Sequence, residues 1–177
     1  MDRRVITFLR GINVGGKTLE MEKMKTLLVD LGLANVRVFN ESGNLVFETT
    51  LAPSAVVRKI EDKILTATGL QVAVITRSVA EMQKILSNNP FTKAQDADSA
   101  HLYVSFMLEA PEKVALRALS KVHAGRDRFR NIDREIYLHC PDGYSKSRLT
   151  NDALERALNV VMTTRDWNAL THLGELL

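Results

Sequence analysis

The sequence is poor in several residues whose abundance marks particular protein classes. Of its 177 residues, one is cysteine, four are proline and one is tryptophan, and aromatic residues make up 6%. The single cysteine, Cys140, excludes an internal disulfide and any zinc site built on cysteine pairs. Hydrophobic residues at 45% and charged residues at 25% are values typical of a globular protein. They exclude a disordered chain, a collagen-like repeat and a disulfide scaffold.

Long hydrophobic runs are also missing. The apolar stretch near the N-terminus ends at Arg10, so it is too short for the hydrophobic region of a signal peptide and far too short to cross a bilayer. No other segment is longer or more apolar. We therefore expect a cytoplasmic protein with no membrane partner.

Charge is unevenly distributed along the chain. The 24 basic and 21 acidic residues give a net charge of +3. The segment from Arg117 to Arg148 carries eight basic and four acidic residues, a net charge of +4, which leaves −1 for the rest of the chain. This segment is the one electrostatic asymmetry in the sequence.

The first half alternates β-prone runs with amphipathic helical patterns. A strand ending at Arg10 leads through a glycine-rich loop to a helix, and two further β-prone runs flank the turn Glu41-Ser42-Gly43-Asn44, which predicts an antiparallel hairpin. Pro53 suits the first turn of a second helix that ends at Gly69, and a fourth strand covers residues 72–76. This order of elements is the βαββαβ order of a ferredoxin-like domain.

The same order begins again at His101. We predict an α+β protein of two ferredoxin-like halves with antiparallel sheets: residues 1–77, a connecting helix capped by Ser78 and a linker over 78–100, and a second half over 101–177 that ends in a C-terminal helix. Thr164 is predicted to cap that last helix, and residues 160–162 form either an eighth strand or the end of the preceding helix. The two halves show no obvious self-similarity, so duplication is a hypothesis.

The glycine-rich loop matches a phosphate-binding pattern. Gly11 to Thr18 satisfies G-x-x-x-x-G-K-[ST] between a predicted strand and a predicted helix, so backbone N–H groups and Lys17 could bind phosphate oxygens, with Thr18 available to hold Mg²⁺. Nucleotide hydrolysis at such a loop requires a parallel sheet, whereas the next two strands are predicted to form a hairpin. Phosphate binding without hydrolysis and a purely structural turn both remain open.

A second possible function follows from the basic segment. Arg126, Arg128 and Arg130 alternate with Asp127 and Phe129, so in an extended strand the three guanidinium groups would project from one face and could contact a phosphate backbone. A solvated outer face explains the same pattern. Few aromatic residues are available to stack on bases, and nucleic-acid binding is therefore the alternative prediction.

Other candidate sites are weaker. The four histidines are isolated in sequence, so no metal site and no cofactor are predicted. No nucleophile is paired with an obvious base, which leaves catalytic residues unassigned. Along the C-terminal helix, Trp167, Leu170, Leu173 and Leu177 form an apolar stripe that indicates core packing first and a homodimer interface second.

Four blocks of sequence, spread over most of the chain, form a recognisable set. They are Leu9-Arg10-Gly11-Ile12-Asn13-Val14-Gly15-Gly16-Lys17, Ser42-Gly43-Asn44-Leu45-Val46-Phe47, Asn89-Pro90-Phe91 and Thr163-Thr164-Arg165-Asp166-Trp167-Asn168. Together they resemble a mainly bacterial family, domain of unknown function 1697. The resemblance implies an α+β fold consistent with paired ferredoxin-like halves and leaves the activity open.

The sequence departs from the usual family pattern at three positions. Glu41 replaces a common glutamine, Arg148 replaces a lysine, and Asp166 replaces an asparagine. The shared blocks are mostly polar, so the resemblance implies a common ligand site, which we predict to bind a phosphorylated or otherwise anionic small molecule in a cleft between the halves. Its predicted residues are Arg10, Asn13, Gly15, Gly16, Lys17, Ser42, Gly43, Asn44, Thr164, Arg165 and Asn168.

Overall fold

The computed structural model describes residues 3–12, 16, 18–39, 42–93, 98–122 and 124–177. The chain forms two compact units, Met1–Met82 and Gln83–Leu177. The three-part division expected from the sequence, with boundaries at residues 77 and 100, stays a prediction. Among the described residues, no helix is long and apolar enough to cross a membrane.

The first unit is built on a four-stranded antiparallel sheet in the order β2-β3-β1-β4. This order, with two helices in the crossovers, is that of a ferredoxin-like domain. The elements are β1 (Arg3–Arg10), α1 (Met21–Asp30), β2 (Ala34–Phe39), β3 (Asn44–Thr49), α2 (Pro53–Thr68) and β4 (Ala73–Ser78), followed by α3 (Val79–Ser87).

The second unit repeats this topology. Its antiparallel sheet has the order β6-β7-β5-β8, so the predicted pair of ferredoxin-like halves is confirmed. The elements are β5 (Leu102–Met107), α4 (Lys113–Leu119), β6 (Arg128–Ile132), β7 (Glu135–His139), α5 (Asn151–Leu158), β8 (Met162–Asp166) and α6 (Trp167–Glu175). Short 3-10 turns cover Ser99–His101 and Tyr144–Lys146.

Each unit has its own core on one face of its sheet. In the first unit, alternate residues of the central strand, Val5 and Leu9, join Phe47 of β3 and the apolar stripe of α2 that includes Ile60. In the second unit, Met107 and Leu138 pack with α5 in the same way. Side chains of successive strand residues point to opposite faces, so alternate residues share one face. Burial of one such side chain stabilises the fold by roughly 1.5–3 kcal/mol.

Helix ends follow local chemistry at most positions. Pro53 begins α2, and Gly69 ends it in a left-handed conformation with φ +71°. The Ser78 hydroxyl accepts the N–H of Glu81, while the Glu81 carboxylate accepts the N–H of Ser78, which together form a capping box.

The predicted cap of the last helix is wrong. Thr164 lies inside β8, where it pairs with Ser105, and the strand continues to Asp166. The Asp166 carboxylate accepts the N–H of Ala169 and is the N-cap. The two alternatives for residues 160–162 are resolved as well, since α5 ends at a left-handed Asn159 and the eighth strand begins at Met162.

The turn at Gly43 is fixed by close packing. A Cβ atom added at Gly43 would lie 2.5 Å from Ile12 Cδ1 and 3.0 Å from Leu9 Cβ, and the residue has φ +75°. By contrast, Gly69 has a similar φ of +71° with no atom within 4 Å of an added Cβ. Only glycine therefore fits at Gly43 without displacing its neighbours.

We expect Gly43→Ala to lower the free energy of unfolding by about 3 kcal/mol, because a clash adds to the cost of a left-handed alanine. The matched control Gly69→Ala changes only the backbone term and should cost about 1 kcal/mol. Urea denaturation followed by circular dichroism measures both. Equal losses in the two variants would contradict the packing explanation.

Candidate functional site

Two of the predicted site segments meet at one end of the first sheet. The N–H of Leu9 donates to the carbonyl of Gly43 at 3.0 Å, and Asn44 pairs with Phe8. The Ser42-Gly43 turn therefore lies beside Arg10, where β1 ends. Arg10 is half-buried, Ser42 is exposed and Asn44 is buried. The structure thus brings Arg10, Ser42, Gly43 and Asn44 together.

The glycine-rich loop is described only in part. Asn13, Gly15 and Lys17 lie outside the described residues, whereas Gly11 and Gly16 have left-handed φ values of +79° and +81°. Helix α1 begins at Met21, with Glu20 at its N-cap and no side-chain capping bond. The helix therefore starts three residues after Thr18. The phosphate-loop pattern instead requires a helix that begins directly at the loop.

A groove of about 630 Å³ adjoins this loop. It is lined by Gly16, Thr18 and Lys23 on one side and by the last turn of α2, with Thr68 and Gly69, on the other. The carbonyl end of a helix carries partial negative charge. The groove therefore has partial negative charge on its α2 side and Lys23 on the other.

The equivalent end of the second sheet has a different charge. The N–H of Met107 donates to the carbonyl of Arg134 at 2.9 Å, which matches the bond between Leu9 and Gly43. Here the turn carries Asp133, Arg134 and Glu135, and the hydrogen bond from Lys84 lowers the pKa of the exposed Asp133. The residue after Met107 is Leu108 where the first unit has Arg10.

In the C-terminal block, the Thr164 hydroxyl belongs to a hydrogen-bond network inside the second unit. It lies 2.7 Å from the Ser105 hydroxyl, donates to Asn151 Oδ1 at 2.6 Å and accepts from the Tyr144 hydroxyl at 3.3 Å. Burial raises the pKa of Tyr144, so this phenol stays protonated at neutral pH. Thr164 therefore ties β8 and β5 to α5.

Arg165 has an equivalent in the first unit that the sequence analysis missed. Arg165 is 8% exposed and donates to the Thr163 hydroxyl and to the carbonyl of Thr164. Arg77 is 2% exposed and donates to the carbonyl of Thr76 in the same way. Burial lowers the pKa of Arg165 to about 10, so the guanidinium remains charged at neutral pH.

The two arginines occupy the same place in the two units. Arg77 pairs with Ile6 in β1, one position from the Thr7 and Thr76 pair, and Arg165 pairs with Val104 in β5, one position from the Ser105 and Thr164 pair. Each is followed directly by a helix N-cap residue, Ser78 or Asp166. The shared Thr-Arg dipeptide before a cap was the signal in the sequence that could have found Arg77.

The remaining residues of the C-terminal block have structural explanations. Asp166 caps α6, a task that asparagine performs equally well, so an amide is not required there for capping. Asn168 is exposed in the first turn of α6, where its carbonyl accepts the Thr171 hydroxyl. The apolar residues Trp167, Leu170 and Leu173 are buried, as core packing requires.

The three arginines of the basic segment each contact different groups. Arg126 precedes β6 and forms an ion pair with Asp142 at 2.9 Å. Arg128 contacts His139 and Phe91, and Arg130 donates to the carbonyl of Phe129. Both Arg128 and Arg130 are exposed on the edge strand.

Neither histidine nor cysteine chemistry is assembled for metal binding. Within the described ranges, no group of three histidine, cysteine or acidic residues could hold a metal ion. Cys140 is buried, and desolvation raises the pKa of its thiol to about 11. A protonated, inaccessible thiol is a poor nucleophile.

The comparison with family models identifies the chain. The family described as "Protein of unknown function (DUF1697)" matches residues 1–137. The chain belongs to this family. Three of the four blocks noted in the sequence fall inside the matched region, while the block around Thr164 lies beyond it. No curated protein matches the chain.

The fold is shared with a solved bacterial structure. The chain is similar to "conserved bacterial protein SP0830 from Streptococcus pneumoniae", with a TM-score of 0.79 and 21% sequence identity. The match covers 99% of each chain. At this level of identity the similarity establishes the fold alone.

The hydrogen bonds of the Thr164 hydroxyl are expected to stabilise the second unit. Thr164→Val removes the hydroxyl that joins Ser105, Tyr144 and Asn151, so we expect a loss of about 2 kcal/mol in the free energy of unfolding. Thr76→Val is the matched control, because Thr76 holds the equivalent strand position and its hydroxyl makes no hydrogen bond to the described residues. It should change stability by less than about 0.5 kcal/mol. Urea unfolding measures both, and equal effects would contradict the role of the network.

A second prediction concerns alkaline pH. Burial raises the pKa of the Cys140 thiol to about 11 in the folded protein, against 9.0 for a solvated thiol. Between these values the unfolded chain loses the proton and the folded chain keeps it, so stability falls as the pH rises from about 9 to 11. One group adds at most about 1.4 kcal/mol per pH unit. Urea midpoints at several pH values should fall less steeply for Cys140→Ala, and an unchanged slope would show that other groups dominate.

Proposed function

We propose that the protein binds a small anionic, phosphate-bearing ligand at the end of the first sheet where β1 ends. The observation that carries the proposal is the packing of Gly43 against Leu9 and Ile12, which fixes the Ser42-Gly43 turn beside Arg10. Arg10 and Ser42, which come from two separate sequence blocks, thereby occupy neighbouring positions, and Asn44 beside them is buried.

The chemistry of these groups suits an oxyanion. A guanidinium offers several donors in a planar fork and forms charge-assisted hydrogen bonds with phosphate. Gly11 and Gly16 have left-handed φ values, and consecutive backbone N–H groups in a loop with such residues are a known type of anion site. Lys17, Asn13 and Gly15 remain the predicted further contributors from that loop.

The second unit supports this assignment by contrast. Its equivalent turn has the same backbone bond, but Leu108 follows its central strand where the first unit has Arg10. The shared fold therefore does not require an arginine at the end of the central strand.

Binding is proposed without hydrolysis. The antiparallel sheet and the start of α1 at Met21 differ from the architecture that positions a nucleotide for phosphoryl transfer. A contribution of Thr164, Arg165 and Asn168 stays a prediction, since Thr164 and Arg165 have partners inside the second unit.

Thermal-shift measurements with inorganic phosphate and pyrophosphate test the proposal. A ligand at a hundredfold excess over its Kd stabilises the native state by about 2.7 kcal/mol. Arg10→Gln removes the charged donor and should weaken binding about tenfold or more. We expect Lys17→Ala to weaken it in the same direction.

The control is Arg58→Gln, which removes the same charge from an exposed position on α2. Affinity that survives in Arg10→Gln and Lys17→Ala, or that falls equally in Arg58→Gln, would refute the site. A shift only with a single-stranded oligonucleotide, steeply reduced by salt, would instead favour the alternative through Arg126, Arg128 and Arg130.

A further inference from the structure

Arg128 is an exposed side chain held in place by two buried ones. Its Nε and one terminal nitrogen donate to Nδ1 of His139 at 3.3 and 3.0 Å. Its Cζ lies 5.7 Å from the centre of the Phe91 ring. His139 and Phe91 are 6% and 8% exposed, and their rings are 6.0 Å apart. The guanidinium is therefore oriented by residues from two different segments.

The Arg128 guanidinium has N–H donors that His139 does not use, and its positive charge is not neutralised by an ion pair with the described residues. Two of its five N–H groups face His139, and among the described residues no carboxylate lies within ion-pair distance of Arg128. In the same segment, Arg126 is paired with Asp142. Arg128 is thus an oriented cation without a counter-ion in the described part of the chain.

The loop before the second sheet is built to place the Phe91 ring. Asn89 Oδ1 accepts the N–H of Phe91 at 3.0 Å, and the carbonyl of Asn89 accepts the Thr92 hydroxyl at 3.0 Å. Asn89 is 3% exposed, and its Nδ2 has no hydrogen-bond partner within the described ranges. A buried amide with unused donors costs stability, and the bond that this side chain does make fixes the backbone of Phe91.

We propose that Arg128 is a second oxyanion site, which binds a carboxylate or phosphate group of a small ligand through its remaining N–H donors. Phe91 and His139 are positioning residues, and Asn89 positions Phe91. This gives the Asn89-Pro90-Phe91 block a role that the site at Arg10 does not provide. The proposal concerns the second unit and does not rest on the function proposed above.

The test is an NMR titration of the full chain labelled with ¹⁵N. The Nε–H signal of Arg128 is followed while sodium acetate or inorganic phosphate replaces sodium chloride at constant ionic strength. We expect a saturable shift, and the anion that saturates it at the lower concentration tells whether the ligand group is a carboxylate or a phosphate. An Arg10→Gln background removes the first proposed site, so failure of one proposal leaves the other testable.

Substitutions at Arg128 and Phe91 distinguish the effect of the guanidinium's orientation on affinity from the effect of its charge. Arg128→Lys keeps the charge but loses the fork, and affinity, read from backbone amides of β6, should fall about tenfold. Arg128→Gln should abolish binding. Phe91→Leu keeps an apolar side chain but removes the ring, so affinity should fall about threefold and the Arg128 Nε–H signal should move toward that of free arginine.

The matched control is Arg156→Gln, which removes one exposed charge from α5 of the same unit and should bind like the unchanged protein. Arg128 is exposed, so its substitution leaves the fold intact, as the dispersion of the amide spectrum verifies. Absence of a saturable shift with either anion, or equal losses in Arg156→Gln and Arg128→Gln, would overturn the proposal. So would a shift produced only by a single-stranded oligonucleotide.

Discussion

The pairing of each central strand with two antiparallel neighbours is the constraint on which the rest of the structure depends. β1 lies between β3 and β4, and β5 lies between β7 and β8. Because side chains alternate between faces, the register decides which residues enter the core. In both units it places a hydroxyl pair toward the helices and an arginine on the opposite face, at Arg77 and Arg165.

The two units use this common frame differently. Ser105 and Thr164 are connected to Tyr144 and Asn151, whereas the hydroxyl of Thr7 is buried without a hydrogen-bond partner in the described part of the chain. Hydroxyl groups at equivalent strand positions of the two units therefore contribute differently to stability. The sheet ends also differ, since one turn stands beside Arg10 and the other beside Leu108.

Much of the fold could be predicted because its signals are local. Hydrophobic periodicity identified the helices and strands, Pro53 and Gly69 marked the ends of α2, and Ser78 marked the start of α3. The order of these elements implied the topology. The cap at Thr164 failed because β8 runs two residues beyond it, and strand length is decided by pairing with β5. Pairing depends on distant residues and leaves no local pattern.

The candidate sites were harder to predict for the same reason. Ser42 and Arg10 were recognised as separate blocks, and only the contact of Gly43 with Leu9 shows that they are neighbours. Arg77 was overlooked because one arginine in a strand is unremarkable until its equivalent, Arg165, is seen at the same register. His139 and Cys140 are neighbours in sequence, yet the His139 ring faces Arg128 while Cys140 lies in the core on the other side of the sheet.

The burial of Cys140 has a practical consequence for work on the protein. The only thiol of the chain is enclosed in the core of the second unit and remains protonated at neutral pH. Alkylating reagents and oxidants act on accessible thiolates. A cysteine introduced at an exposed position would therefore be the one site that takes a fluorophore or spin label under native conditions, without prior removal of the natural residue.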